Sequence, residues 1–276
     1  MKRLVLSLAL LLAAAGLHAG TITKYFDNLK KFSGIQICNS FDATLEMGDD
    51  YRAKVTIDTD YEEYLDVSVV GTVIYVRLKE PPRRLKDLTR KTMKVTITAP
   101  SLCQIYLTGA SRLKSVDEWE SEMEPFTLEV SGAAKAEKLR LTAVKLNATV
   151  SDATSCSVIG DFGELNAAVS GASAVTFSGD FEDIVADVGG TAKITIVGTA
   201  DTIASVCNGS SYLDAAQLNV DKANIICNGA SKAVIDVNER LEVDLSGVST
   251  CHYSTKNNAL TVVPSVSRAS SFKKIN

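Results

Sequence analysis

One short phrase governs what this chain is able to fold into. It reads Leu107-Thr-Gly-Ala-Ser111, Val130-Ser-Gly-Ala-Ala134, Val150-Ser-Asp-Ala-Thr154 and Val169-Ser-Gly-Ala-Ser173. It continues as Val188-Gly-Gly-Thr-Ala192, Cys207-Asn-Gly-Ser-Ser211, Cys227-Asn-Gly-Ala-Ser231 and Leu245-Ser-Gly-Val-Ser249. The central residues are Gly109, Gly132, Asp152, Gly171, Gly190, Gly209, Gly229 and Gly247, at spacings of 23, 20, 19, 19, 19, 20 and 18. Eight copies at so regular an interval mark an architecture in which one small unit stacks on the next.

Aligned on the central residue, the copies fall into columns. Two before the centre stand Leu107, Val130, Val150, Val169, Val188, Cys207, Cys227 and Leu245. Four after it stand Leu113, Ala136, Cys156, Val175, Ile194, Leu213, Ala233 and Cys251, and two after it every residue is Ser, Ala or Thr. Apolar residues at every second position on both sides of a small centre are the signature of β-strands with one face inward. Each repeat therefore reads as two short strands meeting at a bend, followed by a polar turn of about six residues such as Gly160-Asp-Phe-Gly-Glu164. A coil of ~20 residues cannot bury a core alone, so the expected fold is all-β, a right-handed parallel β-solenoid of ~19–20-residue coils. The first, longer spacing is placed at Ser115–Pro125, which carries Trp119 and five acids and is read as a loop or short helix bulging from the stack.

Residues 20–100 lack the phrase but still alternate, as in Lys54-Val-Thr-Ile-Asp58 and Lys94-Val-Thr-Ile-Thr98. They are expected to form a β-rich segment capping the solenoid and blunting its edge, with about eight repeats over 101–276 and a basic loop over Pro81–Lys91. Residues 1–19 read as a secretory signal peptide: Lys2 and Arg3, an apolar stretch over Leu4–Leu12, then Leu17-His18-Ala19 before Gly20. The stretch is shorter than the ~20 residues needed to span a bilayer, and no transmembrane segment is expected after its removal. The expected location is exported, in the periplasm or at the cell surface. Removal of the two cations takes the formal charge from −4 to −6, which argues against a nucleic-acid partner. One histidine, His252, would remain, which argues against His-based catalysis and His-rich metal sites. No motif asks for a cofactor.

The opening Phe32-Ser-Gly-Ile-Gln-Ile37, the strand Val73-Ile-Tyr-Val76 and Val95-Thr-Ile-Thr-Ala-Pro-Ser-Leu102 lead into the repeated Ser-Gly-Ala-Ser phrases. In this the chain resembles the auto-transporter adhesin head GIN domain proteins of Bacteroidetes, over nearly all of its length after the leader. The resemblance implies a β-helical fold and a cell-envelope or extracellular location. It carries no catalytic motif to transfer. Asp152 and Gly189-Gly190 depart from the phrase without disturbing its pattern.

Five groups of residues remain to be read. Three after the centres stand Arg112, Lys135, Lys193 and Lys232, with Tyr212 among them, an outward row suited to an acidic glycan. Val185, Ala204, Val206 and Ile226 fall on outward columns that elsewhere are polar; such a patch asks for a cover, either the N-terminal segment or a second copy of the chain. Along one turn edge Glu182, Asp201, Asp221 and Glu239 share a column, with Asp180 and Asp183 beside them. That edge is a weak Ca²⁺ candidate, set against a solvated acidic rim. Cys103, Cys156, Cys207, Cys227 and Cys251 fall at inward positions and predict a mostly reduced core, with a Cys207–Cys227 bridge as the alternative. Asn208 and Asn228 stack one before the centre as a side-chain amide ladder. The reading these support is a non-catalytic envelope or surface protein, an adhesin or glycan- or partner-binding β-helix. The alternatives are a polysaccharide lyase or hydrolase on a β-helix, or an envelope scaffold without small ligand.

Overall fold

The computed structural model describes residues 20–80, 91–121 and 123–275. The leader read over 1–19 and most of the basic loop lie outside the described residues. The first hundred residues supply β1 (Thr21–Phe26), β2 (Gly34–Ile37), β3 (Asp42–Met47), β4 (Arg52–Asp58), β5 (Leu65–Val70), β6 (Val73–Leu78) and β7 (Met93–Ala99). Next come β8 (Gln104–Leu107), β9 (Arg112–Ser115), β10 (Glu118–Ser121), β11 (Phe126–Val130), β12 (Lys135–Val150), β13 (Ser155–Ile159) and β14 (Phe162–Val169). The last are β15 (Ala174–Val188), β16 (Lys193–Cys207), β17 (Tyr212–Cys227), β18 (Lys232–Leu245), β19 (Thr250–Ser254), β20 (Thr261–Val266) and β21 (Ser271–Lys274). All join one continuous sheet, wound as a β-solenoid of stacked parallel coils.

The alternation explains the core. In β15 the inward residues Val175, Phe177, Phe181, Ile184, Ala186 and Val188 are buried, and each lies in register over its counterpart one coil away. Like sits on like because parallel strands ~4.8 Å apart repeat the same column. The bend preserves the ladder. The residue after each centre donates its N–H to the centre's carbonyl one coil back, as Ala133 to Gly109 (2.7 Å), Thr191 to Gly171 (2.9 Å) and Ala230 to Gly209 (2.7 Å). Gly132 has φ +79°, and a Cβ on it would lie 2.8 Å from the Gly109 carbonyl oxygen. Both the left-handed backbone and the close approach demand glycine. Asp152 holds the same place at φ +69°, a conformation that short polar side chains tolerate, and its Oδ2 accepts from the Gly132 N–H at 2.8 Å. The Ser/Ala/Thr column after the centre is buried under the bend; Ser173 Oγ donates to the Ser170 carbonyl at 2.7 Å.

Two expectations are corrected. The polar turn breaks the strand only in some coils, as at Gly160-Asp161 between β13 and β14; one coil on, β15 runs unbroken through the bend at Gly179 and pairs with β16 from Ala174 to Val188. Phe162 and Phe181 point inward there, 2% and 5% exposed, with ring centroids 5.9 Å apart. The bulge read over Ser115–Pro125 contains β10, which pairs in parallel with β12. Trp119 is buried there and donates Nε1–H to Ser115 Oγ at 2.7 Å. Five acids in a short run mask a strand whose inward positions are only Trp119 and Ser121.

Parallel pairing begins before residue 100. β2 pairs in parallel with β8 and β3 with β9, so Asn39 (φ +68°) stands in the bend column before Gly109. Its Oδ1 accepts from the Leu78 N–H at 2.8 Å. β6 and β7 pair in parallel with the other edges of β2 and β3. Antiparallel strands finish this end: β5 on β6, and β4 then β1 on β7. At the opposite end β20 and β21 pair with β18 and β19 and are mostly exposed.

Candidate functional site

The outward faces are the chemistry this fold offers, since inward positions are closed. On the strands after the bend, Lys193, Tyr212 and Lys232 stand in register on consecutive coils. Both ammonium groups lie against the Tyr212 ring, 5.0 Å and 5.3 Å from its centroid. Cation–π attraction therefore offsets the repulsion between two lysines. Lys193 also pairs with Asp214 at 3.1 Å. Burial, then the Asp214 charge, push the Tyr212 phenol above its ordinary range, so it stays a hydrogen-bond donor.

Arg112 and Lys135 occupy the same row nearer the N-terminal end, neighbours in register on adjacent coils. Ser155 and Ala174 separate them from the Lys193 group. What the sequence reading missed is their surroundings. β7, β3 and β9 lie side by side, so Lys94, Asp42 and Arg112 share one row and Thr96, Thr44 and Lys114 the next. With Glu137 these residues line a cleft of about 400 Å³. Lys94 was hidden because its strand lacks the phrase that fixes register; its alternation was the one visible signal.

The acidic edge is dispersed. Asp180 accepts from Thr199 Oγ1 at 2.7 Å, Asp183 from Thr202 Oγ1 at 2.6 Å, and Asp221 from Asn238 Nδ2 at 3.3 Å. Glu182, Asp201 and Glu239 are exposed. The Lys145 ammonium, 2.9 Å away, holds the neighbouring Glu164 below the usual carboxylate range. Among the described residues no three His, Cys, Asp or Glu side chains converge as a metal site. A cleft of about 530 Å³ on this edge is lined by Asp161, Phe162, Gly163, Asp180, Phe181 and Glu182, among others.

Val185 pairs with Ala204, and Val206 with Ile226, so the four outward apolar residues form one patch. Val185 is 47% exposed. The described strands of the N-terminal segment add to the end of the stack and do not cover this patch. All six cysteines are free thiols. Burial pushes Cys156 and Cys251 up to about 12. Cys207 and Cys227 sit in register; contact with Cys207 and burial raise Cys227, whose hydrogen bond lowers Cys207. Asn228 Nδ2 donates to Asn208 Oδ1 at 3.0 Å.

No curated protein matches the chain. Among solved structures, a "putative adhesin" from Parabacteroides merdae superposes with a TM-score of 0.70 at 14% identity, covering 94% of this chain and 98% of its own. A "putative adhesin" from Parabacteroides distasonis gives 0.62 at 18% identity, with the same shares of 94% and 98%. A "putative lipid binding protein" from that species gives 0.58 at 16%, again with 94% and 98% covered. At such identities the likeness is one of fold, and it extends over the whole stack. The family described as "Putative auto-transporter adhesin, head GIN domain" matches residues 31–179 and 172–256, and the chain belongs to it.

Proposed function

We propose that this chain is an exported, non-catalytic binding module of the cell envelope, an adhesin that holds a surface glycan or comparable partner on the outward side of its coils. Membership of an adhesin-head family supports the reading. So does the absence, among the described residues, of any helix long and apolar enough to cross a membrane. The observation that carries it is the row of exposed cations after the bend, with Lys193 and Lys232 held on the two sides of Tyr212. Rigid strands present these groups at a fixed ~4.8 Å interval, and among the described residues no other segment lies over them. The test is antibody labelling of expressing cells before and after permeabilisation. Labelling of intact cells is the expected result. Labelling only after permeabilisation removes direct adhesion and leaves an envelope scaffold.

A second reading is self-association through Val185, Ala204, Val206 and Ile226, favoured by the exposure of Val185. Its check is the solution mass of the protein beside that of a Val206→Asp/Ile226→Asp variant. A halved mass supports it, and a monomer in both sinks it.

A further inference from the structure

We infer that the cleft between β7, β3 and β9 is a binding site for an acidic polysaccharide, one whose sugar rings carry carboxylate groups. The inference rests on the adhesin reading and names its ligand class. The chain as a whole is acidic, with a formal charge of −4, yet this region gathers Lys54, Lys94, Arg112, Lys114 and Lys135 on adjoining strands. Of these, Lys94, Arg112 and Lys114 line the cleft itself, together with the acids Asp42 and Glu137. All five cations are exposed, and none has an ion-pair partner within 4.0 Å among the described residues.

Register sharpens the point. Arg112 and Lys135 are direct neighbours across a parallel ladder, a placement of like charges that costs stability. Farther along the same row Tyr212 is interposed between Lys193 and Lys232. Here nothing is. A bound anion would remove that repulsion.

The cleft's own groups choose among anions. Carboxylates on a sugar would accept hydrogen bonds from Lys94, Arg112 and Lys114. Sugar hydroxyls, which every ring of a uronate chain keeps free, would donate to Asp42 and Glu137, whereas the deoxyriboses inside a DNA duplex keep none. The Thr44 and Thr96 hydroxyls supply further donors and acceptors between the cations. A nucleic acid would set its phosphates against both carboxylates. The cleft of about 400 Å³ lies along the row of strands, so a linear chain can cross several coils.

The experiment measures binding of the purified protein to polygalacturonate, neutral dextran and a DNA duplex, at low and at moderate salt. The proteins compared are the wild type, Lys94→Glu/Arg112→Glu and, at the opposite end of the stack, Lys273→Glu/Lys274→Glu. Every substituted side chain is exposed, and an unchanged β-sheet circular dichroism spectrum verifies folding. The expected result is binding to polygalacturonate that weakens with salt, falls at least tenfold in Lys94→Glu/Arg112→Glu and persists in Lys273→Glu/Lys274→Glu. Undiminished binding by the first variant overturns the site. Equal binding of the DNA duplex overturns the glycan class. No polygalacturonate binding, with intact cells still labelled, overturns this inference and leaves the adhesin reading standing. Labelling only after permeabilisation overturns that reading itself.

Discussion

The antiparallel end of the molecule and the parallel coils bury similar apolar side chains but satisfy their polar groups differently. Five of the nine ion pairs among the described residues join residues between Lys24 and Lys91, including Arg77 and Lys79 on Asp66 and Lys91 on Asp58 and Asp60. The coils instead chain neutral groups of the same kind. Asn228 bonds Asn208, Asn238 bonds Asn219, and Thr154 bonds Ser173. Translation of one residue type every ~4.8 Å explains the difference. A group that both donates and accepts can be repeated indefinitely, whereas a charge repeated in register repels its own copy. In the non-repeating strands opposite charges can face each other.

The comparison breaks most sharply at glycine. Gly179 has φ +153°, and a Cβ on it would run into the Gly160 carbonyl. Gly71, in the turn between β5 and β6, has φ +62° and nothing within 4 Å of its Cβ site. Gly179→Ala is expected to cost about 3–5 kcal/mol, overpacking added to a disfavoured backbone. Gly71→Ala is expected to cost only about 1–2 kcal/mol, the backbone part alone. Urea unfolding of the two variants measures the gap. Equal costs would mean that coil-to-coil contact does not decide the need for glycine.

This contrast also marks how far the sequence could be read. The coils were legible because one phrase fixes both period and register, so the inward columns and the Lys193–Tyr212–Lys232 row follow from alignment alone. β2 and β3 were not legible as a coil, because Asn39 replaces the glycine, and Cys38 and the bulky Phe41 do not spell the phrase. β10 was hidden by its acids, and the second bend at Gly179 by polar neighbours that suggest a loop. The basic cleft joins β7 to β9 across a spacing that no local pattern encodes.

At the antiparallel end, Asp66 tests the use of opposite charge. Burial raises its pKa, but hydrogen bonds from Arg77 (2.9 Å) and Lys79 (3.0 Å) outweigh this and hold it below the ordinary range. A depressed folded pKa contributes stability above the unfolded pKa, and that contribution is lost as pH falls through the folded one. Asp66→Asn is therefore expected to lose about 1–2 kcal/mol near neutral pH, discounted for the exposure of both cations. The loss should shrink in acid. Amide hydrogen exchange of β5 and β6 from pH 6 down to about 3 would show it, and an unchanged difference across that range would count against the ion pair.

Inside the coils, the bend column tests neutral repetition. Ser231 Oγ donates to the Cys207 carbonyl at 3.1 Å, while Ser211 Oγ is buried beside the Cys207 thiol, a weak partner. Ser231→Ala should cost about 1 kcal/mol. Ser211→Ala should cost less or be neutral, since it removes a buried hydroxyl that has only a thiol to bond. Thermal melts that reverse this order would show that the column acts through size alone.

The smallest effect concerns a place where the coils break their own rule, as they also do at Glu164 beside Asp183 and Lys222 beside Arg240. Arg112 over Lys135 repeats a positive charge in register without an intervening aromatic. Arg112 also has Asp42 beside it in register, whereas the other neighbour of Lys135 is Ser155, so Lys135→Gln isolates the repulsion and should raise stability by about 0.2–0.5 kcal/mol at low ionic strength. The gain should fade as salt is added, because exposed charges are screened within about 10 Å at 0.1 M. Lys193→Gln, by contrast, gives up a pair with Asp214 and a contact with Tyr212, and should not stabilise at all. A variant that is more stable yet binds polygalacturonate less well would show that the repulsion is retained for the ligand. A destabilised Lys135→Gln would mean that the side chain is held by packing, and the argument from like charge would fall with it.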